Sequence, residues 1–224
     1  PAMEAAQAFA KHLSEAGITL DGETTRAAAS GGAKEVASVS SAPLSDVLSV
    51  SLKTSDNTMT EVEGRLVAVQ AKETADFAGA SKAVLAQLGK DGFDTSGVTL
   101  QDSSGLAKGN KVPARLLAQI LAKAAGGEGG SVGRTLIADL PVAALDGTLS
   151  KRLHDTTAAG TVRAKTGTLQ QTSSLAGVVT TADGRQLTFA VMANDFSKDH
   201  SSAAAVEAAI DNHFVAPLAS CGCS

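Results

Sequence analysis

The 224-residue chain predicts an α+β fold, and three observations carry that prediction. Through residue 124, apolar residues recur mostly at spacings of three and four, the period of a helix face. After residue 160 the pattern changes to alternation with a period of two, in three consecutive runs. A final stripe of Val206, Ile210 and Phe214 returns to helical spacing. Helices first, then an antiparallel meander, then a closing helix is an α+β order, distinct from the alternation of a parallel α/β sheet.

The elements follow in order. Residues 3–16 read as a helix with Met3, Ala6, Ala10 and Leu13 on one face and Phe9 beside them, ended by Gly17. Gly31-Gly32 marks a loop, and residues 36–41 are expected to form a short strand. Pro43 opens a second helix bearing Leu44, Val47, Leu48 and Leu52. It breaks at Thr54-Ser55-Asp56-Asn57, which reads as a helix end followed at once by a new N-cap. The next helix has Met59, Val62, Leu66 and Val69 along one stripe. Another carries Phe77, Val84, Leu85 and Leu88 up to the Asp91-Gly92 turn.

Residues 97–111 look irregular, and residues 112–124 form an amphipathic helix with Leu116, Leu117, Ile120 and Leu121. Residues 126–133, rich in glycine, read as a flexible loop, with a short helix before Pro141. The strands are expected at residues 161–167, 174–181 and 186–193, with Asp183-Gly184 as the hairpin turn between the last two. No internal repeat is visible.

At this length the chain fits one large domain with a substantial core. It is 43% hydrophobic without a long apolar run, which predicts a soluble globular protein with no membrane span. A formal net charge of -4 gives no sign of a nucleic-acid partner. Trp and Tyr are absent, which disfavours base stacking or an aromatic sugar platform. The chain starts at Pro1 without a basic-then-apolar leader, as a processed chain or a piece of a longer one would. Cys221 and Cys223 are poor metal ligands without a nearby His, so residues 216–224 are expected to form a mobile tail whose thiols pair outside this chain. His12, His154, His200 and His213 are scattered and show no metal spacing.

Two short motifs carry the chemistry. In Lys165-Thr166-Gly167-Thr168-Leu169, at the start of an alternating run, Thr166 and Thr168 face one side of a strand. An ammonium, two hydroxyls and a glycine that bares the backbone suit an extended peptide ending in a carboxylate. Ser55-Asp56-Asn57, 110 residues earlier, supplies a hydroxyl able to relay a proton and an amide able to hold a peptide carbonyl. Alone, Ser55 is an ordinary helix cap and Gly167 an ordinary turn glycine. Together and in this order, the two match part of the motif set of serine β-lactamases and penicillin-binding proteins.

With the intervening blocks included, the chain resembles the D-alanyl-D-alanine carboxypeptidases/endopeptidases of the penicillin-binding protein 4 type over nearly its whole length. The blocks are Pro43-Leu44-Ser45-Asp46 leading to Lys53-Thr54-Ser55-Asp56-Asn57, then Asp102-Ser103-Ser104-Gly105-Leu106, with Ser103 where the family has glycine. Next comes the segment from Leu140 to Leu149, with Ala144 replacing a glycine, and finally Lys165 to Leu169 followed by Ser174-Leu175-Ala176-Gly177. The resemblance implies a serine β-lactamase/DD-peptidase (transpeptidase-like) fold, incomplete at its N-terminal side, in an exported protein of the periplasm or cell envelope.

The family's nucleophile is the Ser of an S-x-x-K motif upstream of Ser-Asp-Asn. No Ser in this chain has a Lys three residues later; Ser131, with Arg134, is the nearest miss. The chain is therefore expected to be the C-terminal portion of a single DD-peptidase domain whose missing N-terminal segment supplies the nucleophile. By resemblance the reaction is acyl transfer to serine on stem peptides ending in D-Ala-D-Ala, without a cofactor, with β-lactams as covalent inhibitors. Ser55, Asn57 and Lys165 would be catalytic. Thr166, Gly167, Thr168 and Leu169 would bind substrate, with Thr166 and Thr168 on its terminal carboxylate. Leu106 and Lys108 match positions bordering the peptide side-chain pocket, where the basic residue is usually Arg.

The rival readings are a serine β-lactamase, which shares both motifs, and a non-catalytic wall-binding scaffold that keeps the groove. For the first, the stretch near residues 88–96 offers Asp91 and Asp94 but no deacylating Glu. Gly129-Gly130-Ser131-Val132-Gly133 fits the nucleophile elbow of α/β hydrolases but follows a helix and a glycine loop, whereas that motif needs a strand before it. Two expectations concern geometry: the Ser55 hydroxyl lies within one bridging water of the Lys165 ammonium, and Lys165–Leu169 is an edge strand with its outer backbone unpaired.

Overall fold

The computed structural model describes residues 2–28, 30–196 and 200–222. They fall into two compact units, Pro1–Ser41 and Ala42–Ser224, where the sequence predicts one. The first holds helix α1, Ala2–Glu15, which buries none of its residues. Gly17, at φ +84°, ends it, and the Ile18 N–H reaches back to the Leu13 carbonyl at 3.0 Å. The strand expected over residues 36–41 is absent. Val36 and Val39 are each 97% exposed, and three-residue spacing cannot put them on one face of a strand.

The second unit begins with α2, Leu44–Thr54, and α3, Asn57–Gln70. Asp76 caps α4, Phe77–Lys90, by accepting from the Gly79 N–H at 2.8 Å. Helix α3 buries a different stripe from the predicted one. Val62, Leu66 and Val69 are 51%, 53% and 57% exposed, and the buried positions are Gly64 and Ala68. The apolar period marks the wrong face because small residues let α3 lie close to Ala80 and Ala83 of α4. A Cβ on Gly64 would stand 2.0 Å from the Ser103 hydroxyl, so only glycine fits.

Helix α5 is Ala114–Ala125 and α6 is Gly130–Asp139. The predicted glycine loop thus becomes helix from Gly130 onward. Its glycines permit contact: a Cβ on Gly133 would meet the Ala124 carbonyl oxygen at 2.8 Å. Ser131 sits in the first turn of α6, after a helix and a loop rather than after a strand.

Strands β1 (Val162–Leu169), β2 (Thr172–Thr180) and β3 (Gln186–Asn194) form one antiparallel sheet in the order β1-β2-β3. Leu149, Val162, Leu175, Val179 and Val215 are fully buried together, with Leu153, Ala164, Phe189 and Ile210 around them. Removing each such Val or Leu side chain from water is worth roughly 1.5 to 3 kcal/mol. The closing helix is interrupted. After α7, His200–Ala209, a π-helical turn at Ile210–Val215 precedes α8, Ala216–Ser220.

Part of the predicted mobile tail is therefore ordered. Ala219 is buried and Leu218 packs against the core. The π turn shifts the helical register so that Ile210, Val215 and Ala219 all reach the core. Its Asp211 is gripped at both oxygens by Arg152, at 2.9 Å from Nε and 2.6 Å from Nη2. Cys221 is disulfide-bonded, and Cys223 lies outside the described residues. Among the described residues no helix is long and apolar enough to cross a membrane.

Candidate active site

The break between α2 and α3 takes only two residues. Ser55 ends α2 in the left-handed region, φ 55° and ψ 47°, and Asp56 caps α3 by accepting from the Met59 N–H at 2.9 Å. For a residue with a Cβ that conformation costs about 1 kcal/mol or more, which the two flanking helices impose. The chain reverses there, and both Ser55 and Asn57 line a groove of about 680 Å³.

Lys165 enters the same groove from β1. Its ammonium donates to the Ser55 hydroxyl at 2.6 Å and to the Thr166 carbonyl at 2.8 Å. Burial pushes the Lys165 pKa below its ordinary value, since it removes the charged form from water. A cation held against a hydroxyl favours that oxygen as an acceptor and lowers the cost of moving its proton.

The outer edge of β1 is closed at one end and open at the other. The Ala164 N–H donates to the Pro141 carbonyl at 2.9 Å, and the Val162 carbonyl accepts from the Ala143 N–H at 3.0 Å. Residues of an antiparallel strand alternate between facing their partner and facing away. Thr166 and Thr168, two and four residues past Ala164, therefore carry their N–H and C=O groups outward as well. No strand among the described residues pairs with them. The covering segment leaves the edge at Ala144, which adopts φ 61° where the resembling segment has glycine.

That turn is fixed by Asp146. Its carboxylate accepts from the Val142 N–H and from the Lys53 ammonium, each at 2.7 Å, which ties it to α2. Burial raises the Asp146 pKa, but the hydrogen bonds from Lys53 and Val142 and the charges of Lys53 and Arg163 outweigh it, and the pKa lies low.

The opposite rim is the loop after residue 101. Asp102 accepts from the Gly105 and Ala107 N–H groups at 2.9 and 2.6 Å and from the Asn110 amide at 2.6 Å. Burial alone would raise its pKa, and these donors hold it low. Glu61 of α3 accepts from the Ser103 and Ser104 N–H groups at 3.0 and 2.8 Å. Ser103, Ser104, Gly105 and Leu106 are thereby presented to the groove.

The groove brings together Ser55, Asn57, Lys165, Thr166, Gly167, Thr168, Leu169 and Leu106. Lys108 is not among its lining residues and stands exposed in the following turn. Gly167 has a use besides a bare edge: a Cβ there would come within 2.4 Å of the Ser174 hydroxyl of β2.

Sequence reasoning missed several groove residues, among them Thr148, Glu63 and Glu207. Thr148 accepts from the Thr166 hydroxyl at 2.9 Å, and its place in the Leu140–Leu149 block was the signal available. Glu63 of α3 accepts from Ser51 at 3.2 Å, while its Oε1 is buried without a hydrogen-bond partner among the described residues. Burial and the nearby Asp56 charge raise its pKa against the Ser51 hydrogen bond. Glu207 of α7 accepts from the Thr168 hydroxyl at 2.7 Å, and no local motif marks it.

The chain is similar to known proteins. The model of the D-Ala-D-Ala carboxypeptidase 3 (S13) family matches residues 1–215. Carboxypeptidase DacB of Mycolicibacterium smegmatis is 40% identical over 227 residues, covering 100% of this chain and 47% of that protein. The D-alanyl-D-alanine carboxypeptidase of Actinomadura sp. is 32% identical, covering 88% of this chain and 37% of its own length. Penicillin-binding protein 4 of Haemophilus influenzae, solved with a β-lactam, superposes with a TM-score of 0.81 at 29% identity, over 94% of this chain and 50% of that one. The chain thus spans about half the length, or less, of the relatives it matches. Its fold is that of the penicillin-binding protein 4 structures, and the chain belongs to the D-Ala-D-Ala carboxypeptidase 3 (S13) family.

Proposed function

We propose that this chain forms one wall of the active site of a serine D-alanyl-D-alanine carboxypeptidase/endopeptidase that acts on peptidoglycan stem peptides and is acylated by penicillin. The observation that carries the reading is the Lys165 ammonium on the Ser55 hydroxyl at 2.6 Å, beside the open half of the β1 edge. The rest of the protein supplies the S-x-x-K serine and lysine, and the localisation that goes with this substrate is outside the cytoplasm, in the cell envelope.

The peptide lies along β1 as an added strand, bonded to the outward N–H and C=O groups of Thr166 and Thr168. The supplied serine gives its proton to the supplied lysine, attacks the carbonyl of the penultimate D-Ala and forms an ester as the peptide C–N bond breaks and the amine leaves with a proton. The Thr168 N–H holds the oxyanion together with the N–H of that serine; one such donor is worth roughly 3 to 4 kcal/mol. Ser55 passes a proton to the leaving amine, and Lys165 favours that transfer by stabilising the oxygen left behind. Asn57 holds the substrate amide. Water then hydrolyses the ester and restores the serine.

The test is product analysis with the full-length protein carrying this segment. Release of D-alanine from an N-acyl-D-Ala-D-Ala peptide, or cleavage of a cross-linked dimer, supports the reading. Rapid nitrocefin turnover with neither product would assign a β-lactamase. Peptide binding without cleavage would leave a wall-binding scaffold.

A further inference from the structure

We infer that Thr148 is a substrate-binding residue whose hydroxyl donates to the terminal carboxylate of the departing D-alanine and so selects leaving groups that carry that charge. The inference rests on the DD-peptidase reading and names a further contact of that same site.

The shape of the β1 edge sets which way a peptide lies. Its outer backbone is covered at Ala164, which donates to the Pro141 carbonyl at 2.9 Å, and is open at Thr166 and Thr168. The body of a stem peptide therefore runs out past Leu169, and its C-terminus points toward the closed end, antiparallel to β1. With the penultimate D-Ala carbonyl on the Thr168 N–H, the last residue falls about 3 Å back along the strand, beside Thr166. The covering segment leaves no edge on which a main chain could continue, so the peptide ends there in its carboxylate.

Counting hydroxyl protons identifies the donor. Thr166 gives its one proton to Thr148 Oγ1 at 2.9 Å, and Thr168 gives its own to Glu207 at 2.7 Å. Thr148 accepts and, among the described residues, donates to no protein group. Its proton is the one left for a ligand, and Thr148 lines the groove together with Thr166. The bond it accepts polarises its O–H and makes it a stronger donor.

Thr148 is also held in place before a substrate arrives. Leu149 beside it is fully buried, and a Cβ on Gly147, at φ +54°, would stand 2.7 Å from the Lys53 carbonyl oxygen. The charges agree with a carboxylate here. The Lys165 ammonium rests on two neutral groups, Arg152 is matched by Asp211, and the Glu207 carboxylate is held at Thr168, two residues further along β1. Attraction of the carboxylate falls to Lys165, and its hydrogen bond to Thr148.

The experiment uses the full-length protein as wild type, T148V, T148A and T148S. It compares kcat/KM on an N-acyl-D-Ala thioester of thioglycolate, whose leaving group carries a carboxylate, with kcat/KM on the matching thioglycolamide thioester, which forms the same acyl-enzyme without that charge. The ratio does not depend on how much of a variant is folded. Expected is a fall in the ratio by about tenfold or more in T148V and T148A, the usual worth of one hydrogen bond to a charged group, and little change in T148S, which keeps the hydroxyl. An unchanged ratio in T148V or T148A overturns the inference. An equal fall in T148S also overturns it, since the methyl group would then be what matters. Benzylpenicillin labelling of the wild type runs alongside. If the wild type is labelled and the ratio is unmoved, the Thr148 inference alone fails. If the wild type is neither labelled nor active on either thioester, the DD-peptidase reading fails and takes the inference with it.

Discussion

The Lys165 ammonium stands 2.6 Å from the Ser55 hydroxyl across 110 residues of sequence. One group comes from a sheet edge and the other from a two-residue helix break, so their contact depends on the packing of the whole second unit. Ser55→Ala in the full-length protein should lower kcat by roughly 10²-fold or more, the usual contribution of a positioned proton relay. Steady-state kinetics check this, with a melting curve showing little loss of stability.

Lys165→Met separates stability from function. Because burial depresses the folded pKa of Lys165, the unfolded chain binds more protons between that pKa and the ordinary value of 10.5. Wild-type stability relative to the Met variant should thus rise with pH through that window. Below it, where the ammonium is charged in both states, the variant should be at least as stable as wild type and inactive. Urea titrations between neutral and alkaline pH check the sign.

Glu63→Gln should stabilise the protein at neutral pH. The carboxyl's folded pKa is raised, so the cost of burying its charge is fully present above that pKa and disappears as pH falls below the ordinary carboxylate value of 4.5. A Tm gain of about 2 °C at neutral pH, absent at acid pH, is expected for a change on the order of 1 kcal/mol.

Gly64 and Ser103 form a testable pair. Gly64→Ala puts a methyl 2.0 Å from the Ser103 hydroxyl and should cost about 2 kcal/mol through overpacking. Because Ser103 lines the groove, substrate binding should weaken as well. Ser103→Gly should restore most of both, and a double-mutant cycle measures the coupling.

Legibility in the sequence followed how local each signal was. The break at Ser55 could be read because Asp56, a good cap, sits between two apolar stripes. The β1 strand could be read because Lys165 to Leu169 lies in an alternating run. The buried face of α3 could not, since Gly64 and Ala68 carry no hydrophobic signal and their burial reflects close approach to Ser103 and α4. Gly130 to Gly133 resembled a loop because contact with Ala124, which requires glycine there, is tertiary. Glu207 was invisible for a similar reason: its partner Thr168 lies 39 residues away, and α7 alone gives no hint of the groove.

Intact-mass spectrometry of the full-length protein after incubation with benzylpenicillin tests the central claim most directly. One penicilloyl group per protein should form on the serine of an S-x-x-K motif. The 224-residue chain made by itself should remain unlabelled, because none of its serines has a lysine three residues on. A stoichiometric adduct on the isolated chain, mapping to Ser131 or to Ser55, would contradict the account.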